Sequence, residues 1–418
     1  MKLETWNLKL ATRRTAGNVK PESAEQMPLA NSIIAAGRWA KHARLRLLRA
    51  VGRDKRRWNT ALNLREFHHG RLRLASYPRF VQLGSTMACN LQCFFCMRTV
   101  ELIRTRHEQL KQRLDREIPP AVLDQVLPLM PYAETFDLTP FGENFLYSQL
   151  DRILETHRRL GCRNLTMTTA GTLITPKWAE QIVRSGVRQV KISIEETDPD
   201  RYAAMRLGAR LEQVVEGIRL LNEWKERLAS PVPRLTLAAS YMLRNIERLP
   251  DMVRFAAEHD VPEIYVQMLE LKYNNDPDVR KEELTFHIPL LRRMVAEVEA
   301  EARRLGVTCV ITDPILNLLR LPAERPGLDS DLECRGSTAP CSHRPLIEKC
   351  TNPWWWAYVD ENGSLWPCCW AKVTFGNLQE KPFMAVWNSD VAQDMRRRFL
   401  ADDIPNYCRG QLCHVDYD

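Results

Sequence analysis

Three cysteines near residue 90 could together hold an iron–sulfur cluster. Cys89, Cys93 and Cys96 are separated by three and two residues and directly follow a short apolar segment. A [4Fe–4S] cluster normally takes four cysteine thiolates. A set of three leaves one iron open to an outside ligand, as the open position of a catalytic metal site does. A zinc site is the alternative explanation of this spacing.

Most of the other cysteines lie towards the C-terminal end. Seven of the twelve cysteines follow residue 330. The N-terminus has no apolar run followed by a small-residue cleavage site, so the sequence does not indicate secretion. In a reducing compartment, clustered cysteines bind metal or do redox chemistry more often than they form disulfides. We therefore expect a cytoplasmic metalloprotein, and no apolar stretch predicts a transmembrane helix.

The elements that would position the first cysteines alternate between strands and helices from residue 78 onwards. The predicted strands are Phe80–Ser85, Thr135–Thr139, Asn164–Thr168, Gln189–Ile194, Arg234–Tyr241 and Glu263–Met268. Predicted helices include Pro176–Ser185, a long one from Pro199 to about Leu228, and Glu282–Leu305. Strand–helix alternation predicts a parallel sheet, and six such units predict a partial, open barrel. Its active site would lie at the C-terminal ends of the strands.

Charge and composition divide the chain into three predicted parts: 1–77, 78–305 and 306–418. Residues 1–80 carry 18 Lys+Arg and 5 Asp+Glu, whereas the rest carries 42 and 47. The first part is therefore predicted to be a basic extension. It contains an amphipathic helix from about Leu29 to Val51, which could lie on an anionic membrane or dock on the catalytic domain. Such asymmetry can also indicate nucleic acid or an acidic partner. The third part is rich in Cys, Trp, Pro and Gly.

The Cys89-x-x-x-Cys93-x-x-Cys96 spacing after the first strand resembles the signature of the radical S-adenosylmethionine (SAM) superfamily. The resemblance implies a partial (β/α)6 barrel, a [4Fe–4S] cluster and SAM bound to its open iron. Reduction by a donor such as flavodoxin or ferredoxin would cleave SAM to methionine and a 5′-deoxyadenosyl radical. That radical abstracts a substrate hydrogen. An aromatic residue before the third cysteine is expected to pack against the adenine, and Phe95 fits.

The end of the second predicted strand resembles the Gly-Gly-Glu segment of the same superfamily. The sequence there is Leu138-Thr-Pro-Phe-Gly142-Glu143, with Phe141 in place of the first glycine. The resemblance implies that Gly142 and Glu143 bind the SAM ammonium group. A carboxylate at a strand end suits a cation.

The next two strand ends are also similar to SAM-binding segments. Thr169 lies in a Thr-Asn-Gly-Thr-like segment in which Ala170 replaces the asparagine. Ser193 and Glu195 lie in a Ser-x-Asp-like segment, with glutamate for aspartate. The resemblance places Ser193 near the ribose or carboxylate of SAM. These segments occur in the expected order, and the resemblance covers roughly residues 78–270.

The C-terminal cysteines resemble the auxiliary-cluster domains called SPASM and twitch. Cys350 is followed by twelve residues, Gly363, four residues and Cys368, and the linking sequence predicts a β-hairpin that turns at Asn362-Gly363. The resemblance implies one auxiliary [4Fe–4S] cluster. The predicted ligands are Cys350, Cys368, Cys408 and Cys413. A set of only these four cysteine ligands favours the shorter, twitch type of auxiliary-cluster domain.

Three further cysteines could have other roles. Cys369 adjoins Cys368 and could replace it as a ligand, and Cys334 and Cys341 could complete a second auxiliary cluster. In this superfamily, a dehydrogenation uses the auxiliary cluster as an electron acceptor and needs a base. An epimerisation needs a hydrogen donor on the opposite face of the substrate, often a thiol. Cys334, Cys341 and Cys369 are the candidates.

The expected function is dehydrogenation or epimerisation of a carbohydrate- or aminocyclitol-like small molecule. A peptide-modifying maturase is the first alternative, although residues 1–77 show no hairpin signal of a peptide-binding module. A noncatalytic scaffold or RNA-binding protein is the second. A third possibility is that the basic helix seats a radical SAM enzyme on RNA or on an anionic membrane.

Overall fold

The computed structural model describes residues 54–99, 114–269, 276–320 and 350–403, together with Cys408. These residues all belong to one compact unit, Asp54–Asp418. The predicted N-terminal helix at Leu29–Val51 lies outside the described residues, and so do Cys334, Cys341 and Cys413. Within the described part, no helix is long and apolar enough to cross a membrane.

One large sheet forms the centre of the unit. The strands are β1 (Phe80–Leu83), β2 (Gln92–Cys93), β3 (Thr135–Leu138), β4 (Asn164–Thr169), β5 (Gln189–Ser193), β6 (Arg206–Leu207), β7 (Arg234–Tyr241), β8 (Glu263–Met268), β9 (Thr308–Ile311), β10 (Trp356–Val359), β11 (Ser364–Trp366) and β12 (Gly376–Asn377). The sheet order is β12-β11-β10-β1-β3-β4-β5-β7-β8-β9, and every pair from β10 to β9 is parallel. This topology confirms the predicted partial barrel of strand–helix units.

Helices connect these strands. They are α1 (Lys55–His68), α2 (Pro120–Val126), α3 (Leu150–Leu160), α4 (Pro176–Ser185), α5 (Pro199–Met205), α6 (Leu211–Arg227), α7 (Leu249–Glu258), α8 (Pro277–Arg280), α9 (Ile288–Leu305), α10 (Asp313–Leu319), α11 (Asn352–Trp355), α12 (Phe383–Trp387) and α13 (Asp390–Leu400). The predicted helix Pro176–Ser185 is confirmed as α4. The Thr175 side chain caps its first turn, and left-handed Gly186 ends it.

The two faces of the sheet differ in polarity. Along β4 and β5 buried residues alternate with half-buried ones, as expected for strands whose side chains point to opposite faces. The buried residues Leu165, Met167, Val190 and Ile192 belong to the main apolar core. Their half-buried neighbours are mostly polar and share the other side of the sheet, which we call the inner face. The apolar face therefore anchors the barrel, and the inner face remains polar.

The prediction of a single helix from Pro199 to about Leu228 is wrong, because this segment forms two helices, α5 and α6. Between them Arg206 and Leu207 form β6, which pairs antiparallel with β2 in the cysteine loop. Gly208 follows with a φ of +95°, a conformation that L side chains rarely adopt. The segment between α5 and α6 is therefore paired with the strand that contains Cys93.

The long helix predicted at Glu282–Leu305 begins later than expected, at Ile288. The carboxylate of Glu282 is engaged elsewhere. It accepts hydrogen bonds from the backbone amide and guanidinium of Arg244, which follows β7. Pro289 then occupies the first turn of α9, where its missing N–H has no cost.

The sheet continues past the predicted boundary between residues 305 and 306. Strand β9 pairs parallel with β8 and extends the barrel. The predicted hairpin is confirmed as β10–β11, with Gly363 at a φ of +77° in the turn. Because β10 pairs parallel with β1, the hairpin joins the other edge of the barrel strands.

The described part of the predicted N-terminal extension packs against the C-terminal segment. Asn63 of α1 donates a 2.6 Å hydrogen bond to the backbone oxygen of Trp354. Fully buried Arg396 of α13 donates to the backbone oxygens of Leu72, Pro353 and Trp387. Helix α1 is therefore part of the folded unit that contains the barrel.

Candidate active site

The cysteine loop lies at the carboxyl edge of the barrel strands, where the active site was predicted. Cys89 follows β1, Cys93 lies in β2, and Cys96 comes three residues later. Burial raises the pKa of Cys89, and it raises the pKa of Cys93 to about 12. Thiols must lose their protons to bind metal. A positively charged iron centre is the partner that would hold these buried sulfurs as thiolates, so the donors fit an iron–sulfur cluster.

The spacing of the three thiols bears on the zinc alternative. Cys89, Cys93 and Cys96 belong to one short segment after β1. Within the described ranges, however, no three His, Cys, Asp or Glu side chains are placed to hold a single metal ion. Thiolates of a [4Fe–4S] cluster bind separate irons, whereas zinc ligands converge on one ion. The described side chains therefore do not form a ready site for a single zinc ion.

Arg206 is a site residue that the sequence reasoning missed. Its guanidinium is buried and makes two hydrogen bonds to the Glu195 carboxylate, at 2.5 and 2.8 Å. A third nitrogen lies 3.9 Å from the Cys93 sulfur. The neighbouring carboxylate and the Cys93 sulfur raise the pKa of Arg206, so the group stays charged. Gly208, two residues on, was the available signal that the helix breaks here.

Aromatic rings next to the second and third cysteines are held by arginines. The Arg206 guanidinium lies 5.8 Å from the ring centre of Phe95, and that of Arg244 lies 4.0 Å from the ring centre of Phe94. The two rings meet edge to face, with centres 5.4 Å apart. Cation–π contacts of this kind are favourable, more so where water is excluded. Phe95 therefore has a fixed environment at the loop, and its predicted contact with adenine stays a prediction.

Gly142 allows the second predicted segment to approach the cysteine loop closely. Its amide donates to the Thr86 oxygen at 2.9 Å, and the Glu143 amide donates to the Ala88 oxygen at 2.7 Å. A Cβ at position 142 would lie 2.2 Å from that Ala88 oxygen. Only glycine fits without moving the backbone beside Cys89.

The Glu143 carboxylate lies beneath the loop and is already hydrogen-bonded. It accepts from the Thr169 hydroxyl at 2.7 Å and from the Ala170 amide at 2.8 Å. Burial raises its pKa, and these hydrogen bonds oppose that change. Glu143 therefore joins the ends of β3 and β4, which brings two predicted SAM-binding residues into direct contact.

Asn144 is a second residue that the sequence reasoning missed. It is fully buried, accepts a hydrogen bond from the Ser85 hydroxyl, and donates to the backbone oxygens of Leu138 and Thr168. One side chain thus fixes the carboxyl ends of β1, β3 and β4 relative to one another. No spacing rule in the sequence indicates this role.

The remaining predicted SAM ligands lie at the same edge of the sheet. Ser193 ends β5 and is half-buried, and Glu195 follows two residues later with its carboxylate paired to Arg206. The backbone oxygen of Glu195 also accepts from the buried Asn245 side chain. The fold therefore brings Gly142, Glu143, Thr169, Ser193 and Glu195 to one edge, beside the cysteine loop.

Two of the C-terminal cysteines, Cys350 and Cys368, lie at the other end of the barrel strands. Cys350 precedes β10 and Cys368 follows β11, so both come at the open end of the hairpin. Because β10 runs parallel to β1, that end is opposite to the edge that holds Cys89. Cys369 and Cys408 are half-buried, like Cys350 and Cys368.

Two of the C-terminal tryptophans pack in the core of the fold. Trp354 and Trp387 are fully buried in the main core. Their indole nitrogens donate to the backbone oxygens of Arg71 and Ser76. These rings therefore hold the segment after α1 against the C-terminal domain.

Two family profiles match the chain. The profile of the radical SAM superfamily matches residues 84–225, and an iron–sulfur cluster-binding domain profile, SPASM, matches residues 350–414. The first match contains the cysteine loop and all the predicted SAM-binding segments. The second contains the hairpin and all four predicted auxiliary ligands. The chain thus has domains of the kinds that bind SAM and [4Fe–4S] clusters.

Curated relatives are distant. An AdoMet-dependent heme synthase of Methanosarcina barkeri is 21% identical over 77% of this chain and 86% of that protein. A probable GTP 3′,8-cyclase of Thermoplasma volcanium is 25% identical over 50% of this chain. This chain spans 58% of that cyclase, somewhat more than half its length.

Solved structures share the fold at low identity. Streptococcus suis SuiB bound to its precursor peptide SuiA superposes with a TM-score of 0.58 at 17% identity, covering 82% of this chain and 71% of SuiB. The structure of anSMEcpe with AdoMet and a peptide superposes with a TM-score of 0.52 at 15% sequence identity, covering 79% of this chain and 85% of anSMEcpe. These similarities establish the fold.

Proposed function

Because the chain belongs to the radical SAM superfamily and carries a C-terminal SPASM domain, we propose that it abstracts a hydrogen atom from a small polar metabolite. The observation that carries the proposal is the cysteine loop, which the fold fixes at the carboxyl edge of a partial barrel. When bound there, the reduced cluster and SAM supply a 5′-deoxyadenosyl radical. The protein's own residues bind and orient these groups and exclude water from the site.

The buried polar residues around the loop support a SAM site. Arg206 places a positive charge beside Cys93, and a planar guanidinium suits a carboxylate such as that of SAM. The Glu143 carboxylate and the neighbouring backbone suit its ammonium group. We propose that Thr169 and Ser193 bind further polar atoms of SAM, and that Glu195 keeps Arg206 in position through the two hydrogen bonds between them.

The inner face supports a polar substrate. Its half-buried residues are mainly hydroxyl, amide and charged side chains, which match the many hydroxyl groups of a carbohydrate or aminocyclitol. We propose dehydrogenation or epimerisation of such a molecule. The predicted auxiliary ligands Cys350 and Cys368 flank the β10–β11 hairpin, which pairs with β1, at the strand ends opposite to Cys89. We propose that an auxiliary cluster held there accepts an electron from the substrate. Cys369 stays a proposed hydrogen donor for the epimerisation route.

A peptide substrate is the second candidate. The observation that favours it is the fold likeness to SuiB, whose structure contains a precursor peptide, over 82% of this chain. The two candidates differ in the size of the substrate. A low-molecular-mass filtrate of cell extract should stimulate 5′-deoxyadenosine release if the substrate is a metabolite. Stimulation only by a protease-sensitive retentate would favour the peptide.

Two partners belong to the proposal. A flavodoxin or ferredoxin would supply the electron, which fits a reducing, cytoplasmic location. An anionic partner would bind the basic N-terminal region, which we propose could seat the enzyme on RNA or on a membrane. A cavity of about 660 Å3, lined by Arg65, Arg71 and Arg73 among others, supports this second partner.

A pair of cysteine variants tests the proposed chemistry. Cys93→Ala removes a loop thiol, whereas Cys162→Ala removes a thiol that is equally buried but lies outside the loop. We expect Cys93→Ala to lose reductant-dependent release of 5′-deoxyadenosine from SAM and Cys162→Ala to retain it. Equal release by both variants would contradict the proposal.

A further inference from the structure

The inner face of the barrel carries rows of polar side chains. Residues in register on neighbouring parallel strands point to the same face of the sheet. The lower row comprises Gln82, Asp137, Thr166 and Gln189, the middle row Thr168, Lys191 and Thr236, and the upper row, nearest the cysteine loop, Ser193, Ala238 and Tyr265. The upper row includes Ser193, a proposed SAM ligand.

Lys191 reaches across this face towards the SAM site. Its Nζ lies 5.0 Å from the ring centre of Tyr265, although β7 stands between their strands. Ala238 of β7 presents only a methyl group there, which leaves room for the lysine side chain. The ammonium group is thereby placed beside the upper row, and Lys191 itself is half-buried.

The ammonium of Lys191 has no carboxylate partner among the described residues. The lower-row carboxylate is used elsewhere, because Asp137 accepts from the hydroxyls of Thr139 and Thr166 at 2.6 and 2.5 Å. Glu263, at the base of β8, accepts from Gln189, Thr236 and Arg234. The Tyr265 ring offsets part of the cost of removing this charge from water, but it is not a counter-charge. An anionic group from outside the chain would relieve this cost.

Gln82 offers a second group without a partner on the same face. The residue is 8% exposed, and its Oε1 atom is buried without a hydrogen-bond partner in the described part of the chain. Buried carbonyl oxygens are nearly always hydrogen-bonded. Gln82 pairs in register with Asp137 in the lower row, and its amide oxygen needs a donor such as a hydroxyl group.

We propose that the inner face binds a substrate that carries a carboxylate or phosphate, and that Lys191 is the residue that binds this anion. The Gln82 oxygen is a separate hydrogen-bond acceptor in the lower row of the same face. This inference rests on the proposed function and narrows it to an acidic or phosphorylated polyhydroxyl compound. Binding the anion at the upper row, which also contains Ser193, would orient the substrate carbon towards the SAM site.

The test measures how fast Lys191 is modified by reductive methylation, read by mass spectrometry on the reconstituted full chain. Inorganic phosphate and acetate are the probes, each compared with sodium chloride at equal ionic strength. Lys177 is the internal control, because its Nζ also lies over an aromatic ring, that of Trp178, at 5.4 Å, but it is exposed on α4. We expect one probe to slow methylation of Lys191 several-fold and to leave Lys177 unchanged. Protection by phosphate alone or by acetate alone would identify the anion class.

A variant series gives a second readout. Phosphate or acetate should raise the melting temperature of wild type and of Lys177→Met more than chloride does, and this difference should shrink in Lys191→Met. Lys191→Arg should restore it, because the charge is restored. Equal methylation of Lys191 with and without both probes would overturn the inference. So would an anion-dependent shift that survives in Lys191→Met. Neither readout depends on SAM cleavage, so nucleoside release by wild type tests the proposed function separately.

Discussion

Gly142→Ala should displace the cysteine loop without unfolding the barrel. The added Cβ would lie 2.2 Å from the Ala88 oxygen and 2.7 Å from the Thr86 oxygen. Carbon–oxygen contacts in proteins normally lie at about 3.3–3.6 Å, so the Ala88 carbonyl must move by roughly 1 Å. That carbonyl belongs to the residue before Cys89 and also accepts the Glu143 amide.

Displacing the Ala88 carbonyl should weaken binding of the cluster at the loop. Overpacking a well-packed site typically costs about 1–3 kcal/mol. If that cost falls on the conformation that binds the cluster, affinity drops by about 5- to 150-fold, since about 1.4 kcal/mol is tenfold. Reconstituted Gly142→Ala should therefore lose most of one cluster, or about four irons, while the auxiliary iron remains.

Iron analysis, 5′-deoxyadenosine release and circular dichroism on the same samples provide the assay. Gly186→Ala is the control, because that glycine has a φ of +77° and nothing within 4 Å of its added Cβ. The control should lose stability through backbone strain and keep its iron. Wild-type iron content and wild-type nucleoside release in Gly142→Ala would refute the reasoning.

Three further predictions concern buried ionisable side chains, and the midpoint of urea unfolding is the measurement for each. Glu195→Gln leaves the buried Arg206 guanidinium without its counter-charge and should cost about 3–5 kcal/mol, and a loss below about 1 kcal/mol would contradict this. Arg396→Met leaves three backbone oxygens without a donor and should cost about 3 kcal/mol or more, whereas exposed Arg397→Met should change stability by about 0.5 kcal/mol or less. Burial lowers the pKa of His157, so the folded state favours the neutral ring, and stability is lost as pH falls below about 6.5. His157→Gln should weaken that loss, and equal pH dependence in wild type and variant would contradict it.

The local sequence pattern predicted many of the strands and helices of the barrel. Strands β7 and β8 have the predicted bounds, because apolar segments of six to eight residues between helices leave little choice of structure. Helix α4 also has the predicted bounds, and in the structure the Thr175 cap and left-handed Gly186 account for its two ends. The turn at Asn362-Gly363 followed from the same kind of short-range rule.

The errors arose where distant segments pair. The break at Arg206 depends on β6 pairing with β2, more than a hundred residues earlier in the chain. Neither helical periodicity nor composition near residue 206 contains that information. Strand β9 was not predicted for a similar reason, because its pairing with β8 is what shows that the sheet continues past residue 305.

The candidate site was predicted through its motifs but not through its supporting contacts. The cysteines and strand ends were recognisable from residue type and order. The hydrogen bonds of Asn144 to three strands depend on tertiary structure, as does the pairing of Glu195 with Arg206. These residues hold the predicted ligands in place, and no motif in the sequence identifies them.

Iron and sulfide content after anaerobic reconstitution tests the central claim most directly. Wild type is compared with the triple variant Cys89→Ala/Cys93→Ala/Cys96→Ala, and reductant-dependent 5′-deoxyadenosine release is measured on the same samples. We predict about eight irons in wild type, about four in the variant, and nucleoside from wild type alone. About twelve irons in wild type would add a second auxiliary cluster. Iron unchanged by the triple substitution, with no nucleoside formed by either protein, would contradict a catalytic cluster at this loop.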